Sequence, residues 1–119
     1  MLNLGTPLAY NDSTPLFKVI SAASSPDNEI VAAGTGGRKI RVLQYAFIAN
    51  GTVTVRFEGG AGGTALTGQM DFVAQGGMAP PFSPAGYFET AADTNLNLEL
   101  SATEEVAGWI VYQLIEPTS

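Results

Sequence analysis

The stretch "KIRVLQYAFIANGTVTVRFE", residues 39–58, carries the clearest structural signal in the chain. Two runs rich in β-branched and aromatic residues flank Asn50-Gly51, the dipeptide preferred in two-residue type I′ turns. In the second run two valines and Phe57 alternate with polar residues, so one side of that strand faces a core and the other faces water. The stretch therefore predicts a β-hairpin.

The first run of this stretch is apolar on both faces. One face carries Ile40, Val42, Ala46 and Ile48, and the other carries Leu43, Tyr45, Phe47 and Ala49. The last apolar run has the same property, with Val106, Ile110, Tyr112 and Leu114 opposite Trp109, Val111 and Ile115. A strand of this kind is covered on both sides. We therefore expect a second sheet over one face and a partner subunit over the other.

Outward from this stretch, the chain has the punctuation of an all-β domain, with strand-like runs separated by Gly, Pro, Asn or Asp. The runs lie at about residues 16–23, 28–33, 39–49, 52–58, 69–75, 86–91, 95–101 and 106–116. They predict a two-sheet antiparallel β-sandwich of about eight strands, jelly-roll-like in its connections. Residues 1–15 are predicted to be an extended N-terminal arm, because two prolines and a turn cluster interrupt them, and residues 16–119 a single domain.

The composition narrows the class of protein. Eleven acidic and five basic residues give a formal net charge of −6, which argues against a nucleic-acid partner because phosphate binding depends on Lys and Arg. The chain has no cysteine and no histidine, so it lacks thiolate metal ligands and the commonest general base. Charged residues are only 13% of the chain, about half the usual share. We therefore expect a binding or structural protein that is not an enzyme and that uses no cofactor and no metal.

The first fifteen residues have neither the basic start nor the apolar run of a signal peptide. No stretch reaches the roughly 20 apolar residues that a transmembrane helix requires. We therefore expect no membrane association, and folding in a cytosol.

Residues 85–101, "AGYFETAADTNLNLELS", contain a partial match to a calcium-binding loop. Asp93, Asn95 and Asn97 take the first, third and fifth positions of an EF-hand, and Glu104 takes the twelfth. The sixth position, however, is a leucine where the loop requires glycine. Leucines at 96, 98 and 100 alternate with polar residues, which predicts a half-buried strand instead.

Other candidate sites lack the spacing that their chemistry needs. The glycine-rich segments 34–39 and 58–68 are not followed by a helix, so they are predicted to be strand connections and not phosphate-binding loops. No spacing among the acidic residues favours a catalytic carboxylate pair. Residues 78–88, "MAPPFSPAGYF", are predicted to form a stiff extended connection that Phe82 anchors to the core or to a neighbouring subunit.

Four of the five basic residues fall within 19 residues on the two arms of the predicted hairpin: Arg38, Lys39, Arg41 and Arg56. Two interpretations remain open. They form a solvated edge that resists unwanted strand pairing, or a basic patch that docks on an acidic protein surface.

Three segments carry a family resemblance: "RKIRVLQYAFIANGTVTVRFEGG", "GTALTGQMDFVAQGGMAPPFSPAGYFETAADTNLNLELS" and "VAGWIVYQLIE". Their pattern is a hydrophobic strand and hairpin, a "TALTG" loop, a proline-aromatic connection into "YFETA", an "NLNLELS" strand and a final strand with a tryptophan. From about residue 28 to residue 116, this pattern resembles small bacteriophage structural proteins, namely the capsid decoration or cement proteins and related virion jelly-roll modules.

The resemblance implies a homotrimer on the outer surface of an icosahedral phage head, where it would bridge subunits of the major capsid protein and stabilise the shell. Such a protein would be synthesised in the cytoplasm of the infected bacterium and would reside on the virion exterior. The candidate capsid-binding residues are the four basic residues and Leu2, Leu4, Leu8 and Tyr10 of the arm. The candidate oligomer-interface residues are Tyr45, Phe47, Phe82 and Trp109. Those that lie in predicted strands, Tyr45, Phe47 and Trp109, could equally belong to the core.

A receptor- or carbohydrate-binding module of a phage tail or head fibre is the alternative. Jelly rolls are common among lectins. Tyr10, Tyr87 and Trp109 would then be the candidates for stacking on sugar rings.

Overall fold

A computed structural model describes residues 14–117, and these residues form ten β-strands and no helix. In chain order the strands are β1 (Leu16–Ala22), β2 (Asp27–Val31), β3 (Lys39–Ala49), β4 (Val53–Gly59), β5 (Thr64–Ala65), β6 (Met70–Phe72), β7 (Gly77–Met78), β8 (Phe88–Glu89), β9 (Leu96–Leu100) and β10 (Val106–Ile115). Eight of them coincide with the predicted runs. The other two, β5 and β7, are each two residues long, which is too short to produce a recognisable strand pattern in the sequence. Within the described range there is accordingly no helix that could span a membrane.

The strands form two antiparallel sheets that pack face to face. Sheet I has the order β1–β10–β3, with β7 and β8 both pairing with β3. Sheet II has the order β2–β9–β4, with β5 and β6 both pairing with β4. The predicted all-β sandwich is therefore confirmed, while the jelly-roll designation stays a prediction.

The predicted hairpin at Asn50-Gly51 is wrong. β3 and β4 lie in different sheets, and the Asn50 N–H donates to the Glu105 carbonyl oxygen at 2.8 Å. A type I′ turn needs a positive φ at both central residues, and neither Asn50 nor Gly51 has one. The connection is a corner between the sheets, so the apolar residues of β4 meet those of β3 across the core. Two strands that pair in one sheet and two strands that stack across a core bury the same alternating side chains. The alternation in the sequence therefore could not distinguish a hairpin from this corner.

A bulge in β3 changes which residues share a face. The pairing with β10 shifts at Leu43, which is left without a partner in the register. The predicted alternation, which set Ile40 and Val42 opposite Tyr45 and Phe47, is therefore wrong. All four side chains are buried in the core. The same shift turns outward the residues that alternate with Tyr45 and Phe47 in the second half of β3.

The core lies between the two sheets. Its largest fully buried hydrophobic side chains are Phe57, Ile20, Ile40, Leu96, Leu98, Leu100 and Ile110. The three leucines belong to β9, which confirms the strand that their alternation predicted and excludes an EF-hand loop at residues 93–104.

Tyr45 and Phe47 lie inside this core. They are 5% and 2% exposed, and their rings lie 5.1 and 6.3 Å from that of Phe57. Of the two roles considered for these aromatics, the structure therefore supports the core. Because both side chains are buried, neither residue can contribute to the predicted oligomer interface.

Candidate interaction surface

The outer face of sheet I is apolar across its three long strands. We call this surface the apolar face and define it by the outward residues Phe17, Val19, Ala46, Ile48, Ala107, Trp109 and Val111. They lie on the face opposite that of core residues such as Ile20, Phe47 and Ile110, because side chains alternate along a strand. Three of its large side chains are mostly exposed: Phe17 at 64%, Val19 at 62% and Ile48 at 59%. Scattered apolar residues on a surface are ordinary, but a contiguous group of this kind is a candidate interaction surface.

Register places these residues beside one another. In one row Val19 of β1 pairs with Trp109 of β10, which pairs with Ala46 of β3. In the next row Ala107 pairs with Ile48. Neighbouring side chains on one face of a sheet lie about 5 Å apart, so the rows form one continuous surface.

Two further features give the apolar face its shape. The rings of Phe17 and Trp109 stack at a centroid distance of 6.5 Å with 25° between their planes. Beside this pair runs an open groove of about 580 Å³, whose lining includes Ile48, Met78 and Ala107. The face therefore has a raised aromatic ridge next to a shallow apolar groove.

Among residues 14–117, no charged side chain interrupts the apolar face. The other outward residues in its rows are Ser21 and Gln44, which are uncharged. The nearest outward charge on β3 is Arg41, beyond the bulge, where its Nε contacts Glu89 Oε2 at 2.9 Å. A partner for this surface must therefore present an uncharged, apolar surface of its own, because an unpaired charge would be buried at a cost.

The structure separates the four basic residues that the sequence grouped. Arg38, Lys39 and Arg41 lie at one end of sheet I, whereas Arg56 lies on the outer face of sheet II. Each of them forms an ion pair with an acid. Arg38 lies 3.3 Å from Glu116, and Lys39 and Arg41 lie 3.9 and 2.9 Å from Glu89. Arg56 lies 3.3 Å from Glu58 and 3.0 Å from Glu99. The arrangement does not form one basic patch, because the hairpin that would have joined the two groups does not exist.

The remaining predicted residues fall in different places. Trp109 is part of the apolar face, and its interface role stays a prediction. Phe82 lies in the connection between β7 and β8 and is 48% exposed, so its interface role stays a prediction. The arm residues Leu2, Leu4, Leu8 and Tyr10 lie outside the described residues.

Sequence reasoning missed Phe17 and Val19, although a signal was present. Both alternate with Leu16, Lys18, Ile20 and Ala22, so β1 is largely apolar on both faces, like β3 and β10. The same criterion applied to β1 would have indicated a second covered face, although it would not have shown which face is the outer one.

The outer face of sheet II is different and carries a cluster of carboxylates. Register aligns Asp27 of β2 with Glu99 of β9, and Glu99 with Arg56 of β4. One carboxylate oxygen each from Asp27, Glu58 and Glu99 lies within 4.8 Å of the others. The Glu58 side chain is 0% exposed although it points away from the core. Sequence spacing could not reveal this cluster, since its members come from three separate strands.

The pKa of the Glu58 carboxyl is raised from 4.5 to about 7, and burial is the largest cause. The neighbouring Asp27 carboxylate contributes to this rise by hydrogen bonding and by like charge, and Glu99 adds a smaller repulsion. Arg56 acts in the opposite direction by donating to Glu58 Oε1. The acids outweigh the one guanidinium, so Glu58 holds a proton at mildly acidic pH.

This pKa predicts that stability falls between about pH 5 and pH 7. The folded state binds the Glu58 proton more tightly than the unfolded chain does, so the contribution is complete below the unfolded pKa and is lost as pH rises through about 7. The loss amounts to up to about 3 kcal/mol. Urea unfolding across this range, in EDTA, measures it. Glu58→Gln is the control, because a neutral amide should flatten the wild-type slope; equal slopes in both proteins would contradict the prediction.

Comparisons of the chain with protein-family models, with curated proteins and with solved structures found no match.

Proposed function

We propose that this protein is a non-enzymatic structural protein of a bacteriophage virion, which acts as a closed oligomer and stabilises the outer surface of the capsid. The observation that carries the proposal is the uncharged apolar face, with Phe17, Val19 and Ile48 each about 60% exposed. Such a face is suited to binding, because burying it against a matching surface removes apolar area from water.

The first part of the proposal is that copies of the chain associate through the apolar face. A second copy presents the same uncharged surface, so it meets the requirement that the partner be apolar too. A contact between the same patch on both copies is the two-fold case, whereas in a cyclic trimer the three copies bring this face together around a common axis. The family resemblance implies a trimer, and Trp109 with Phe17 is the aromatic anchor that interfaces favour.

The second part is capsid binding by the assembled oligomer. A protein that binds the assembled shell, and not its separated subunits, raises the stability of the shell by mass action. Several linked copies add avidity, because each further contact becomes intramolecular. The predicted arm at residues 1–15 and the exposed parts of the sandwich outside the apolar face are the surfaces that remain for contact with the capsid.

Light scattering tests the oligomer directly. We expect a mass near three times the 12.4 kDa chain at micromolar concentration. A mass of one chain at the same concentration would contradict the proposed self-association.

Capsid binding is tested with phage heads that lack decoration. Purified protein mixed with such heads should appear on them by electron microscopy, and the heads should withstand heating better than untreated heads. Absence of binding, or binding with no gain in heat resistance, would refute the capsid role even if the oligomer forms.

The stacked Phe17–Trp109 pair beside the groove also favours a second candidate, a carbohydrate- or receptor-binding module. Aromatic rings and an open groove are features of many sugar sites. Binding on a glycan array together with failure to bind capsids would favour this function. An array without binding, together with decorated capsids, would exclude it.

A further inference from the structure

The carboxylate cluster of sheet II has the composition of a site for a hard cation. Asp27, Glu58 and Glu99 come from the three neighbouring strands β2, β4 and β9. Their carboxylate oxygens lie within 4.8 Å of one another. Two ligands on opposite sides of a calcium ion are separated by about the same distance, since each Ca²⁺–oxygen bond is about 2.4 Å.

Two buried oxygen atoms at the cluster are left without a hydrogen-bond donor. Glu58 Oε2 belongs to a side chain that is 0% exposed, and Asn97 Oδ1 to a residue that is 5% exposed. Asn97 is the direct cross-strand partner of Glu58, so the two side chains are neighbours on the outer face of sheet II. Buried acceptors are nearly always satisfied in folded proteins. A bound cation would satisfy both atoms.

The charges of the cluster are unbalanced. Three carboxylates face one guanidinium, that of Arg56, which lies 3.3 Å from Glu58 Oε1 and 3.0 Å from Glu99 Oε1. With all three carboxyls ionised, the sum of these formal charges, three negative and one positive, is −2. A divalent cation neutralises it.

We propose that Asp27, Glu58 and Glu99 bind a divalent cation of the calcium type, with Asn97 Oδ1 as a further ligand. All four ligand atoms are oxygens, which hard cations such as Ca²⁺ prefer, whereas Zn²⁺ favours the nitrogen and sulfur ligands that this chain cannot offer. Calcium also accepts irregular geometry and six to eight ligands, while Mg²⁺ demands a near-ideal octahedron. The site was not predicted from sequence, where no metal ligands were expected.

The bound ion would cross-link the sheet. It would join β2, β9 and β4 by their outward side chains. It would also hold the loop after β4, since the Gly62 N–H donates to Asp27 Oδ1 at 3.2 Å. The expected effect is therefore on the stability of the fold and not on the apolar face, which lies on the opposite sheet.

Calcium titration of the full chain tests the site. After treatment with EDTA and its removal by dialysis, CaCl₂ should give saturable heat in a calorimeter, with about one ion per chain. It should also raise the midpoint of thermal unfolding by several degrees at millimolar concentration. MgCl₂ should bind more weakly.

Substitutions locate the ion. Glu99→Gln and Glu58→Gln should each lower the calcium affinity by roughly tenfold or more, because each removes a charged ligand. Glu105→Gln is the matched control, since Glu105 is an exposed acid outside the cluster, and it should bind calcium like the wild type. If Glu58→Gln fails to fold, Glu99→Gln decides, because Glu99 is only partly buried.

Two outcomes would overturn the proposal. The first is that calcium produces no binding heat and no change in the unfolding midpoint of the wild-type protein. In that case Arg56 and a proton shared between the carboxyls alone balance the charge of the cluster. The second is an equal loss of affinity in Glu105→Gln and Glu99→Gln, which would mean that calcium binds the acidic surface in general. Neither outcome depends on the oligomer or on capsid binding.

Discussion

Phe57→Ala is expected to lower the free energy of unfolding by about 3 to 5 kcal/mol, the largest loss that we predict for a single side chain. The ring is 0% exposed and lies between the sheets, with centroids 5.1 Å from Tyr45, 6.3 Å from Phe47 and 5.2 Å from Phe88. Removing it leaves a cavity that packed neighbours on both sheets can fill only in part. Urea unfolding, followed by the fluorescence of Trp109, measures the loss.

Phe82→Ala is the control for this experiment. It removes the same ring from a position that is 48% exposed in the connection between β7 and β8, and should cost less than about 1 kcal/mol. Equal losses in the two variants would show that Phe57 is not at the centre of the core.

Ile48→Asp is expected to weaken self-association by about 100-fold or more. Ile48 lies on β3, next to Ala107 of the middle strand β10, and it lines the groove, so an aspartate there would bring an unpaired charge into the interface. Substitutions at the centre of an interface commonly cost 2 to 4 kcal/mol, and each 1.4 kcal/mol is tenfold in the dissociation constant. Sedimentation equilibrium of wild type and variant measures the change.

The control for the charge itself is Val73→Asp. Val73 is also an exposed aliphatic residue, at 68%, but it follows β6 and is not part of the apolar face. This variant should associate like the wild type. Ile48→Asp should also keep its unfolding midpoint as a monomer, since Ile48 is 59% exposed within one chain. Dissociation of both variants, or of neither, would contradict the assignment of the interface to the apolar face.

The strands could be predicted because their signals are local. The alternation of leucines in β9 and of valines in β4 is a property of consecutive residues, and both strands are where the pattern indicated. The burial of one side of each followed from the same alternation. The two-residue strands β5 and β7 could not be predicted, because they exist only through pairing with β4 and β3.

Which strands pair could not be predicted from these local patterns. Asn50-Gly51 favours a tight turn, yet β3 is paired with β10 on one side and with β7 and β8 on the other, so β4 has no place beside it. The bulge at Leu43 is another consequence of pairing, since it appears only in the register with β10. It moved Tyr45 and Phe47 onto the core side and left Ile48 outside.

The sequence by itself determined that this chain is an all-β sandwich with strands apolar on both faces, because strand formation and burial depend on neighbouring residues. Only the tertiary structure decided what those strands present to the outside. Residues far apart in the chain become neighbours by register, and this brought Phe17, Ile48 and Trp109 together on sheet I. The same long-range pairing assembled Asp27, Glu58 and Glu99 on sheet II. Both surfaces on which the proposed functions rest are products of strand order, which no local pattern in this chain encodes.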